Sequence, residues 1–166
     1  MIALELTNTK DFMNKLLMGE GFDDFLMVEA QIVTANSMTI DGHLQKDFFT
    51  QEEWTDPVVR PYALSQWKGM RQTIVTLIKG KHTPVRMHIV LQWKPEAMEE
   101  LLATHERADA LGLLDGLLLT VRYENGQISL VTGASYKSFT MDKEPEQIWD
   151  EECRKRLNTL DISYQA

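Results

Sequence analysis

The sequence predicts an α+β domain, a mostly antiparallel sheet with about four helices packed on it. Three observations carry this. β-rich runs adjoin one another near the front and near the back of the chain, as hairpins do. Stretches with a helical apolar stripe lie between them. Strands and helices do not alternate regularly, as the crossovers of a parallel sheet would require. The 166 residues suit one domain with a full core, and no linker or repeat divides residues 1–166.

The elements follow in order. Met1 to Leu6 is a short apolar start, read as a strand or a docking segment. "TNTKDFMNKLLMGEG" is a helix: Asn8 or Thr9 caps it, Phe12, Leu16 and Leu17 share a face, and Gly19 or Gly21 ends it. "FDDFLMVEAQIVTA" is a central strand, with Phe25, Met27 and Val33 on one side and Val28, Ala30 and Ile32 on the other. Asn36-Ser37 is a turn. Asp41-Gly42 is either a two-residue hairpin turn or, if Ile40 to Leu44 is one strand, the site of a bulge.

Thr50 and Glu53 stand at capping-box spacing, which predicts a short helical turn. "ALSQWKGMRQTIVTLIKG" is the clearest helix. Trp67, Met70, Ile74, Leu77 and Ile78 make its stripe, and Gly80 stands where a C-terminal cap belongs. "TPVRMHIVLQW" alternates Val85, Met87, Ile89, Leu91 and Trp93 against the wetter Arg86, His88 and Gln92. A helix follows from Pro95, with Met98, Leu101, Leu102 and His105 inward. "LLLTVRYENGQISLVTG" is a hairpin about Asn125-Gly126. The last helix starts near Pro145 and buries Ile148, Trp149, Cys153, Leu157 and Leu160.

Composition narrows the function classes. Hydrophobic residues are 43% and charged residues 25%, near the globular norm. No apolar stretch is long enough to cross a bilayer, and the start does not read as a signal peptide. The single cysteine, Cys153, leaves no intrachain disulfide and no cysteine-rich zinc site. A cytoplasmic protein fits these features. A pI near 5.0 argues against a nucleic-acid coat.

Four stretches together carry a resemblance: "FDDFLMVEAQIVTANSMTIDGHLQKDFF", "LIKGKHTPVRMHIVLQ", "LTVRYENGQISLVTGASYKSFTMDK" and "IWDEE". They resemble a family of small uncharacterised proteins from anaerobic Firmicute-type bacteria, a domain of unknown function. The likeness runs over nearly the whole chain. It implies a single domain and a bacterial source, and it carries no activity, cofactor or catalytic residue.

Charge is unevenly placed. The formal net charge is -8, yet Pro57 to Pro95 holds seven basic side chains and no Asp or Glu. In the functional reading Lys79, Lys81, His82 and Arg86 form a cationic rim, extended along the helix by Lys68 and Arg71. In the competing reading the segment balances the acidic surface of the other elements, and Lys79 and Lys81 neutralise a helix end.

Other constellations are thinner. Asp41, His43 and Asp47 offer ligands to a divalent metal if their strand is unbroken. His105 and Asp109 stand four apart, as an acid-base pair on a helix would. Thr132, Gly133, Ser135 and Lys137 in "TGASYKSF" offer a phosphate cradle, without matching the phosphate-loop pattern. No nucleophile motif appears, Cys153 sits on an apolar stripe, and no cofactor is expected.

The leading expectation is therefore a non-catalytic binding or adaptor module, whose basic surface over residues 68–86 holds an anionic ligand or an acidic partner protein. The second is an enzyme acting on a phosphorylated small molecule, with "TGASYKSF" and His82 or His43 in its pocket. The third is a structural protein that self-associates as a homodimer through a sheet edge.

Overall fold

Alternation of apolar and polar residues builds the middle of the sheet. In β5 (Arg86–Trp93), Met87, Ile89, Leu91 and Trp93 are buried and the residues between them are not. The structure, a computed structural model, describes residues 1–166. β5 pairs on one side with β2 (Phe25–Val33) and on the other with β6 (Leu114–Glu124). Beyond β6 come β7 (Gln127–Tyr136), β1 (Ala3–Leu6) and the two-residue β8 (Tyr164–Gln165). Beyond β2 lies β3 (Ser37–Asp41), with β4 (Ser65–Gln66) also paired to β2. Every pairing is antiparallel. The β6–β7 turn has Asn125 at φ 53° and Gly126 at φ 76°, the two positive angles such a hairpin needs.

Four helices have nine residues or more: α1 (Thr9–Leu17), α3 (Trp67–Ile78), α4 (Pro95–Thr104) and α5 (Glu144–Thr159). The shorter α2 (Gln51–Thr55) starts on the expected Thr50/Glu53 capping box. The buried faces of the long helices join the inward side chains of the sheet in one core of 31 residues. Its centre is aromatic. Trp149 of α5 lies 4.9 Å from Trp93 and 6.2 Å from Phe25, ring centre to ring centre. Each buried indole has a partner for its N–H: Trp149 donates to the Leu118 carbonyl and Trp67 to that of Leu16.

Four expectations need correction. In β2 the register shifts between Met27 and Glu29, so a bulge at Val28 resets the alternation. Phe25, Met27, Ala30 and Ile32 then all face the core, instead of splitting between the two sides. Gly42 explains how β3 tolerates the bulge: its N–H donates to the Val28 carbonyl at 2.8 Å, and a Cβ there would lie 1.8 Å from the Met27 oxygen. Asp41-Gly42 is thus no hairpin turn; the chain reverses at Thr34–Asn36. The third helix begins at Trp67, not Ala63, because Ser65 and Gln66 pair with β2. His105 ends α4 exposed, not inward, because Glu106 at φ 57° turns the chain off the helix.

Candidate functional site: a basic patch on the open face of the sheet

The register decides which polar side chains meet. Opposite the core face, Gln31 of β2, His88 of β5, Arg122 of β6 and Ser129 of β7 stand in one cross-strand row. Arg86 is two residues from His88 on β5, hence on the same face, and is paired in register with Glu124. Arg86 and Arg122 are therefore diagonal neighbours, roughly 7–8 Å apart. Gln31, Arg86, His88, Arg122 and Glu124 line a shallow cavity of about 140 Å³. Neither guanidinium has a carboxylate oxygen within ion-pair distance, Glu124 included. The exposed Lys81 and His82 lie in the loop that feeds β5, at the same end of the sheet.

The basic stretch read as one surface over residues 68–86 is divided by the fold. Lys68 and Lys79 stand at opposite ends of α3, about 16 Å apart at the helical rise per residue. Arg71 is committed to structure: it pairs with Asp23 at 3.1 Å and reaches the Met18 carbonyl at 3.4 Å. Lys79 lines a cleft between α1 and α3 on the helical side. Of the six candidates, only Arg86 lines the sheet-face cavity; Lys81 and His82 stay in the loop before β5, outside its lining. His88 and Arg122 were not among the candidates. Both stand on the wetter side of alternating strands, a visible signal, but nothing local shows that the two strands are neighbours in that register.

The other candidates do not assemble. Thr132, Gly133, Ser135 and Lys137 form no loop: the first three run along β7, and Lys137 lies just beyond its end. The Thr132 hydroxyl is buried against the Asp150 carboxylate of α5 and accepts the Ile2 N–H at 2.9 Å. Asp41 Oδ1 accepts from the His43 backbone N–H at 2.9 Å and lies 2.7 Å from its Nδ1. Those hydrogen bonds hold the Asp41 carboxyl below its ordinary range. Asp47 sits in a separate helical turn, and no group of three His, Cys, Asp or Glu residues is arranged to hold a metal ion. Asp109 is bound to Arg107 rather than His105, because the helix ends between them. Cys153 is buried, and burial pushes its thiol well up, away from the reactive thiolate.

This geometry defines a class: a two-layer α+β domain with helices on one face of an antiparallel sheet and a basic patch on the other. Residues 15–165 match a family of unknown function, DUF5721, and the chain belongs to it. No curated protein and no solved structure matches the chain. No helix is long and apolar enough to cross a membrane.

Proposed function

We propose that this protein is a binding module that holds a small anion on the open face of its sheet, between Arg86 and Arg122. The observation that carries the reading is the pair of guanidiniums on neighbouring strands, lining one cavity with His88 and Gln31 and unpaired with any carboxylate. Two guanidiniums side by side repel each other, and an anion held between them would offset that repulsion. Size sets the ligand class. At about 140 Å³ the cavity is smaller than the roughly 300–1,000 Å³ of drug-sized sites, which favours a phosphate-like group over a whole nucleotide. Lys81 and His82 add to the field that draws the anion in.

Calorimetric titration with pyrophosphate at low and high salt tests this. Each guanidinium hydrogen-bonded to an anion is worth about 1.5–3 kcal/mol, so Arg86→Glu or Arg122→Glu should weaken binding at least about tenfold. Lys68→Glu, on the far end of α3, should leave it unchanged. Equal affinity in the two arginine variants would remove the site. Binding of an acidic protein in place of pyrophosphate would convert it into a docking surface.

A further inference from the structure

The cleft between α1 and α3 has a different chemistry from the sheet face. Its volume is about 650 Å³, within the roughly 300–1,000 Å³ of small-molecule sites. Met13, Leu17, Val75 and Ile78 supply its apolar lining, and Met18, 61% exposed, stands at its lip. Methionine side chains adapt to irregular apolar ligands, and an exposed one has no packing reason to be there.

The polar part of the lining is cationic. Asp11 is its only carboxylate and is paired with Lys15 at 2.9 Å. Lys10 and Lys79 have no carboxylate within ion-pair distance. The helix dipoles do not decide the sign here. The cleft runs along all of α1, from its N-cap Asn8 to its C-cap Met18, so both ends of that dipole face it, and the C-terminal end of α3 adds no positive partial charge. Two lysines remain to set the field.

We infer that this cleft binds a free single-chain amphiphile with an anionic head, its alkyl tail on the apolar floor of Met13, Leu17, Val75 and Ile78 and its head on Lys10 and Lys79. An apolar floor alone would accept a neutral chain equally well, and lysines alone would not need the floor. The site shares no residue with the Arg86–Arg122 cavity, so either can fail without the other.

The test is a titration of laurate, below its micelle concentration, into protein labelled at the methionine methyls. Saturable shifts at Met13 and Met18, with the buried Met98 unmoved, are the expected result. Lys10→Glu combined with Lys79→Glu should weaken laurate binding at least tenfold, while Arg86→Glu combined with Arg122→Glu should leave it intact. Dodecanol should bind much more weakly than laurate, and phosphatidylglycerol vesicles, whose chains are already buried, should produce no shift. Equal binding of dodecanol, shifts produced by vesicles but not by laurate, or no response at Met13 and Met18 would each overturn the assignment.

Discussion

Three arginines of the helical side and two of the open sheet face are used differently. Behind the sheet, Arg71 pairs with Asp23, Arg156 with Asp24, and Arg107 with Asp109, Asp142 and Glu144. On the open face Arg86 and Arg122 have no such partner. The first three stitch segments distant in sequence: Arg71 and Arg156 hold the α1–β2 connection to α3 and α5, and Arg107 holds the region after α4 to the start of α5. A guanidinium used this way is part of the fold. One left free on a flat sheet contributes little to the fold and is available to a ligand.

Arg156 is where breaking the comparison should cost most. Its guanidinium donates to Asp24, reaches the Gly21 carbonyl at 3.4 Å, and lies 5.4 Å over Phe25 and 6.0 Å over Trp93. Asp24 also accepts the Trp93 indole N–H at 2.9 Å. The cluster already leaves Asp24 Oδ1 and Arg156 Nε buried without a partner, so it has little slack. Arg156→Ala strands a carboxylate against the aromatic centre of the core. Urea unfolding should show a loss of about 1–3 kcal/mol, since the pair is partly exposed but removing Arg156 takes away its packing on Phe25 and Trp93 and leaves Asp24 without its cation. Asp24→Asn should lose less, because an amide still accepts from the indole. If Arg156→Ala were neutral, pairing would not distinguish structural from free arginines.

Arg107 should show a smaller effect with a pH signature. Bonds to Asp109, Asp142 and Glu144, in that order, raise its own pKa, and its guanidinium holds the carboxyls of Asp109 and Asp142 below the ordinary 3.8. For a carboxylate with a depressed folded-state pKa, the stability is present in full above the unfolded value. It is lost as pH falls through the folded value. Arg107→Gln should therefore lower Tm at neutral pH. The gap to the parent should hold down to about pH 4 and close only as pH falls below the ordinary 3.8 and through the depressed folded values. A gap independent of pH would mean that Arg107 acts by packing alone.

What the sequence displayed, and what it hid, follows the same division between local and distant. Helix stripes, the Thr50/Glu53 box and the Asn125-Gly126 turn depend on residues within a few positions of each other, and they stand as read except at His105, where α4 ends. The Val28 bulge does not, because an extra residue in β2 is fixed by the register of β5 and by the close approach of Gly42. The charge run from Lys68 to Arg86 was visible as composition. Its division into a paired Arg71, a cleft-lining Lys79 and a sheet-face Arg86 required the length of α3 and the strand order. The meeting of Arg86 with Arg122 was hidden for a simple reason: they are adjacent only because His88 lies opposite Arg122 in the β5–β6 register. A one-residue slip would put Arg122 on the core face.

The smallest expected stability effect is the one that sharpens the comparison most. Arg86→Glu and Arg122→Glu, made singly, break no ion pair and no hydrogen bond with the protein, so unfolding free energy should change by no more than about 0.5 kcal/mol. Reversal at Arg86 places a carboxylate opposite Glu124, and like charges directly opposite on a sheet are unfavourable. Arg122→Glu faces His88 instead and has no such penalty. The order expected in urea unfolding is therefore Arg122→Glu at least as stable as the parent, then Arg86→Glu slightly below it, with both far above Arg156→Ala. Loss of pyrophosphate binding in Arg122→Glu with its stability retained would separate the ligand-facing arginine from the structural one. A stability loss at Arg122 as large as at Arg156 would instead make the open face part of the fold's own support.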